Sequence, residues 1–315
     1  ASSARQPVRL VRFSRTPSKP LNPPPDSETQ IEEVIDRWSQ AEQIHVNEQF
    51  EESEPSLPLK GLRVLDLTWV LAGPFATRML ADLGADVIRV QNEEHSTLVN
   101  RPDYPYYFVW GRGKRSATLD MKHPQALKTI RKLIENCDVL IENYSAGVLD
   151  GWGLDWETVK NWNPRLIYVS MSGCGHDGPW SHVISYAPTV HAICGITHLT
   201  NFADRGDVGP GFSLNDHLAG FAAATSTMAA VFERDTSGLG QHIDMAQLEV
   251  GTYSIGPAAL NYLSNDFAAQ PNGNRDGLQD HVPNEVYQCL DGYVAITASN
   301  DDQWKRLCLL LESDL

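Results

Sequence analysis

Apolar and polar positions alternate with two different periods along most of the chain, and each change of period marks an element. Arg63-Val-Leu-Asp-Leu67 is a short apolar run of strand type. Gly73-Pro74 follows and leads a helical stretch from Phe75 to Leu83, which Gly84 ends. Asp86-Val-Ile-Arg-Val90 is a second strand. Strand, helix and strand in about 30 residues make a βαβ unit, whose two strands run parallel.

The alternation recurs. Pro124 suits the first turn of a helix reaching Asn136, ahead of a strand at Cys137–Glu142. Asp155 caps a short helix that stops before Asn163-Pro164, and Arg165–Ser170 is the next strand. This pattern predicts an α/β fold with a doubly wound, mostly parallel, Rossmann-like sheet. After residue 210 the texture changes. His217–Phe232 reads as a small-residue helix, Gln241–Met245 as a strand and residues 246–263 as a further helix. Glu285–Ala298 reads as a hairpin turning at Asp291-Gly292, and Asp301–Leu311 as a closing helix.

The first 58 residues are of another kind. Residues 1–25 form a basic arm of charge +5 with no acid, and residues 26–58 an acidic linker, with charge −9 over 26–56. Pro23, Pro24 and Pro25 exclude a helix there, whereas 28–50 read as a polar helix with Ile31, Val34, Ile35 and Trp38 on one face. An acid-free, Arg- and Ser-rich opening has the look of a mitochondrial presequence. Val8, Leu10, Val11 and Phe13 between the arginines favour a surface strand or arm instead.

Over 315 residues the net charge is −15, which makes nucleic acid or an anionic membrane a poor default partner. No apolar run reaches the length of a transmembrane helix. The five cysteines contain no CxxC pair, which argues for free thiols in a reducing compartment, cytoplasmic with mitochondrial as the alternative, rather than for disulfides or zinc.

The dinucleotide, phosphate-loop, GxSxG and HExxH motifs are absent. Ala72, Gly73 and Pro74 stand where a strand passes into a helix, a place where free N–H groups meet ligands. Arg112, Lys114 and Arg115 cluster in one glycine-containing turn, suited to a phosphorylated ligand or simply solvated. Gly173–Pro179 is a glycine-dense loop after a strand, with His176 and Asp177 as candidate acid–base groups or parts of a plain turn. Asp216 opens a helix, as a functional acid or as a complement to the helix dipole. His191 and His198 read as core or rim histidines. No cluster has metal-ligand spacing.

The segments LKGLRVLDLTWVLAGPFATRMLADLGADVIRV (59–90), GRGKRSATLDMKHP (111–124), DVLIENYSAGVLDGWGLDWE (138–157), NPRLIYVSMSGCGHDGP (163–179) and RDTSGLGQHIDMAQLE (234–249) stand in order along the chain. NGNRDG (272–277) and EVYQCLDGYVAITASNDDQWKRLC (285–308) continue the series. Together they resemble the family III CoA-transferases, the CaiB/BaiF and formyl-CoA transferase group. The resemblance implies a CoA-binding large domain over 59–235, the start of a smaller α+β domain over 236–315, and an interlocked homodimer. It implies an enzyme moving CoA between an acyl-CoA and a carboxylic acid, with the CoA thioester as substrate and neither metal nor separate cofactor. Val70, Leu71, Ala72, Gly73 and Pro74 would approach the thioester arm. Arg112, Lys114 and Arg115 would meet the CoA phosphates, and Asn143 and Tyr144 would line the channel.

Two departures stand out. The family's nucleophilic aspartate, which forms mixed anhydrides, falls at Ala187 in Ser185-Tyr-Ala-Pro-Thr, and an alanine cannot form one. Asp216, Asp177 or His176 would then carry the chemistry. The alternatives are an acyl-CoA racemase or epimerase using Asp216, and a non-catalytic CoA-binding half. Residues 7–17 also resemble the tail that ends a domain of this family, so the chain reads as one domain's tail, a linker and an incomplete second domain of a tandem protein.

Overall fold

A computed structural model describes residues 10–17, 39, 56–92, 104–275 and 283–312. Seven strands form one sheet: β1 (Arg12–Phe13), β2 (Arg63–Asp66), β3 (Asp86–Gln91), β4 (Arg115–Thr118), β5 (Val139–Glu142), β6 (Ile167–Ser172) and β7 (Gln241–Ala246). Their spatial order is β1-β7-β6-β5-β2-β3-β4, with every pair parallel except β1 against β7. The chain winds outward from β2 through β3 to β4, then returns and winds the other way through β5, β6 and β7. The direction reverses between β2 and β5, which opens a crevice beyond their carboxyl ends.

Alternating side chains divide between two cores, as a sheet covered on both faces requires. Val64, Val139, Ile141, Ile167, Val169 and Ile243 point to one face. There they meet α1 (Ala72–Asp82) and α8 (Leu214–Ser237). Leu65, Leu140, Leu166 and Tyr168 point to the other. α3 (Ala126–Asn136) covers that face with Ala126, Ile130 and Ile134 at helical spacing, beside α5 (Trp156–Trp162), which Asp155 caps through Thr158 N. The remaining helices are α2 (Pro105–Gly111), α4 (Val148–Gly151), α6 (Ala187–Ile193), α7 (Ile196–Leu199), α9 (Gln247–Ser254), α10 (Gly256–Asn265) and α11 (Asp301–Leu310). A hairpin of β8 (Asn284–Cys289) and β9 (Gly292–Thr297) stands apart from the large sheet.

The α/β class and parallel sheet agree with the pattern of apolar runs. Several details differ. β4 lies where a basic turn was expected, and β7 carries the sheet past residue 235. Residues 246–263 form two helices, because Gly256-Pro257 interrupts at Ile255. Cys289 pairs with Gly292, so the hairpin turns at Leu290-Asp291. The arm adds β1 beside β7, with Val11 buried, as the surface-strand reading anticipates. The helix expected over 28–50 lies outside the described residues apart from Ser39, which is helical.

Helices α1 and α8 approach closely because α8 presents small side chains, Ala219, Gly220 and Ala223 among them. A Cβ on Gly220 would lie 2.5 Å from Phe75 and 2.9 Å from the carbonyl oxygen of Ala72. Gly220→Val should therefore force the helices apart and lower unfolding stability by about 1–3 kcal/mol, measurable by urea denaturation.

Candidate active site

The crevice at the reversal point holds a cleft of about 280 Å³ lined by Trp69, Val70, Leu71, Ala72, Asn143, Tyr144, Asp216 and Gln247. The first strand-to-helix turn forms one wall. Asn143 fastens this turn across the crevice: its Oδ1 accepts from Trp69 N at 2.8 Å and its Nδ2 donates to Trp69 O at 2.9 Å. Val70 takes φ +62°, a left-handed conformation costly for a β-branched residue, and it lines the cleft. Gly73 is required at its place, since a Cβ there would come within 2.4 Å of Thr68 and 3.1 Å of Asn143. Tyr144 stacks on Trp69 at 6.1 Å and meets Trp152 edge-on. These rings border a second cleft of about 260 Å³.

Beneath the turn lies a buried ion pair. Lys114 Nζ donates to Asp66 Oδ2 at 3.0 Å, to the Pro74 carbonyl at 2.9 Å and to Thr77 Oγ1 at 2.6 Å. Asp66 also accepts from Thr68 N and Oγ1 and from Thr77 Oγ1. Burial alone would raise the Asp66 pKa, but Lys114, Arg89 and the two threonines outweigh it and hold the carboxyl below its ordinary value.

The basic turn is thus divided in its roles. The Lys114 side chain is 2% exposed and cannot reach a phosphate. Arg112 and Arg115 stay exposed, and they pair with Asp82 and Asp86 respectively.

Asp216 stands in the first turn of α8, 9% exposed, and lines the same cleft as Asn143. Burial pushes its carboxyl up to about 6, against hydrogen bonds from Gln247 and Ser213 and the nearby His217. Asn215 N beside it donates to His191 Nε2 at 3.0 Å, which ties α6 to the start of α8. His191 is buried, the core role expected of it.

Ala187 begins α6 and is 3% exposed. It faces a neighbouring cavity of about 550 Å³ with Trp110, His191 and His217, while Tyr186 faces the cleft. Leu71 borders both spaces.

His176 and Asp177 are not brought to Asp216. His176 lies between Asp244 (Nδ1 to Oδ1, 3.1 Å) and Glu142 (Nε2 to Oε1, 3.5 Å). Burial would lower its pKa, but the two carboxylates outweigh that and push it up to about 10. Raised this far, the imidazole is mostly protonated near neutrality, and a protonated ring has no lone pair with which to accept a proton. Asp177 is mostly exposed and pairs with Arg12.

Several lining residues escaped sequence reasoning. Gln247 follows the end of β7, and that position at a strand terminus is the signal that could have found it. Ser172 and Ser185 also line the cleft and carry buried hydroxyls with no hydrogen-bond partner. Among the described residues no group of three or more His, Cys, Asp or Glu side chains could hold a metal ion, and no helix is long and apolar enough to cross a membrane.

Fold and cleft meet here with the match to known proteins: residues 59–315 fit the model of CoA-transferase family III, and the chain belongs to that family. It is 36% identical over 268 residues to the succinate–glutarate CoA-transferase of Agrobacterium fabrum, covering 81% of this chain and 66% of that protein. It is 35% identical to the succinyl-CoA:glutarate CoA-transferase of Mus musculus, covering 81% and 59%. A crystal structure of a CaiB/BaiF family protein from Brucella suis superposes with a TM-score of 0.73 at 35% identity, covering 82% of this chain and 70% of that one. A Mycobacterium tuberculosis structure gives 0.72 at 27%, covering 82% and 69%. The chain thus spans 66% and 59% of the length of these two curated relatives.

Two measurements check the site. Lys114→Met leaves the Asp66 carboxylate buried without its partner, and should cost about 3–5 kcal/mol in urea denaturation. Asp216→Asn should act in the opposite direction. The folded pKa of about 6 lies above the ordinary carboxyl value, so the native state holds the extra proton and loses stability as pH rises through 6. The asparagine variant should therefore melt higher than wild type above pH 6, by an amount worth about 1–2 kcal/mol, with the gain gone below about pH 4.

Proposed function

We propose that the chain binds an acyl-CoA in the cleft between the Val70–Pro74 turn and Asp216, and takes part in moving CoA from that thioester to a carboxylic acid. The observation that carries this reading is Asp216: a buried carboxyl, raised to about 6, that faces the cleft while the position of the family's usual nucleophile holds Ala187. A carboxylate with a raised pKa is a better nucleophile, and at pH 7 it is mostly ionised. Attack by Asp216 on the thioester carbonyl would form a C–O bond, break the C–S bond and release the CoA thiolate, leaving an acyl–aspartyl anhydride. The acceptor carboxylate would then attack the acyl carbon, displace the Asp216 carboxylate and form a donor–acceptor anhydride. The thiolate would attack the acceptor's carbonyl carbon of that anhydride, breaking its C–O bond, releasing the donor acid as its carboxylate and forming the acceptor's CoA thioester.

The family membership and the relatives' activities support the substrate class. The aromatic cleft of Trp69, Tyr144 and Trp152 would suit the planar base of a nucleotide. Arg112 and Arg115 remain accessible beside the turn for phosphates, once they exchange their aspartate partners. In this reading the active unit is a homodimer.

Ala187 itself favours a second reading, a CoA-binding chain with no turnover of its own. One experiment separates the two. The protein is incubated with succinyl-CoA and hydroxylamine, and modified carboxylates are sought by mass spectrometry. Transfer through Asp216 predicts a hydroxamate at Asp216 and none in Asp216→Asn. Binding alone predicts no modified carboxylate, and a gain of label and turnover in Ala187→Asp, where the start of α6 favours an anion.

A further inference from the structure

The arm makes more contacts than a surface strand needs. Arg12 stands opposite Asp244 in the β1–β7 pairing, and Ser14 N donates to His242 O at 2.9 Å. The Arg12 guanidinium forks, with one nitrogen on the Asp177 carboxylate and the other 2.7 Å from Glu249 Oε1. Asp177 belongs to the Gly173–Pro179 loop, and Glu249 to the first turn of α9. The adjacent loop residue, His176, is held by Asp244, the residue facing Arg12. Leu248 N donates to Gly173 O at 2.9 Å, which joins loop and helix directly. Gly173 and Gln247 both line the candidate cleft.

We propose that residues 10–17 are a strap on this cleft, with Arg12 the positioning residue that holds the Gly173–Pro179 loop and the first turn of α9 against each other. An exposed pair such as Arg12–Asp177 would contribute little by itself, because both side chains must be ordered to make it. Here the bond to the partly buried Glu249 has already fixed the guanidinium, so the second bond costs little further side-chain entropy. Glu249 depends on Arg12 in turn, since its Oε2 is buried and makes no hydrogen bond. The strap thus couples the arm to two walls of the cleft without touching its contents. Its effect on ligand affinity rests on the acyl-CoA reading above; its effect on the loop does not.

Hydrogen exchange on the full chain tests both. In Arg12→Ala, amides of 173–181 should exchange about fivefold faster or more, while those of α3 across the sheet stay as in wild type. Arg12→Lys, which can hold only one carboxylate at a time, should fall between. Asp177→Asn should loosen the loop and leave α9 unchanged, and it decides the matter if Arg12→Ala does not fold. Arg15→Ala, which removes contacts to Glu233 and the end of α8, should leave the loop as in wild type. The Kd for acetyl-CoA should rise about fivefold in Arg12→Ala, in step with the loop opening. Wild-type exchange over 173–181 in both Arg12→Ala and Asp177→Asn would overturn the strap. Equal loosening by Arg15→Ala would overturn the role of Arg12. If acetyl-CoA binds to neither wild type nor variant while the loop still loosens, the acyl-CoA reading fails and the strap stands.

Discussion

The structure turns on the buried contact between Lys114 and Asp66. Asp66 ends β2, Lys114 precedes β4, and the ammonium also holds Thr77 and the Pro74 carbonyl of α1. The two ends of the first strand-to-helix turn are thereby pinned to a segment far along the chain. A dry ion pair contributes little net stability, because desolvation offsets most of the attraction. What it supplies is geometry, since the charges and the threonine hydroxyls are all satisfied in only one arrangement. That arrangement holds Trp69, Val70 and Leu71 at the mouth of the crevice, with Val70 in a conformation it would not adopt alone.

Two carboxyls near this crevice are driven in opposite directions by their surroundings. Asp66 is fully buried yet lies below its ordinary pKa, because cations and hydroxyls face it. Asp216 is almost as buried and lies above, because only an amide, a hydroxyl and one neighbouring imidazole compensate. The two shifts differ in sign because the partners differ, not because of residue type. His176 shows the same logic for a base. Two carboxylates raise its pKa against the effect of burial and hold the ring between β5 and β7.

The fold was legible where burial leaves a plain mark. β5 and β6 are buried along their whole length, and each opens on an apolar run, Val-Leu-Ile and Ile-Tyr-Val. β4 was missed because Arg-Ser-Ala-Thr is exposed throughout, and an outermost strand carries no such signature. Ala72–Pro74 and Asp216 were singled out as candidates from their places at a strand end and a helix start, and Val70 and Leu71 from the family resemblance. The buried role of Lys114 was not, because three cations in five residues give no hint which one turns inward. Nor were the partners of His176, which come from positions 142 and 244 and meet only once the sheet is assembled.

β1 is only two residues long, yet it lies along β7, a strand whose residues are all buried or half-buried. The opposite margin of the sheet is β4, short, exposed and headed by Arg115. A charged, short margin resists the addition of a foreign strand, whereas a long apolar one invites it. The arm therefore also covers one edge of the sheet. In a chain deprived of it, the bare N–H and C=O groups of β7 would offer a template for pairing with another molecule, and solubility would suffer together with the site.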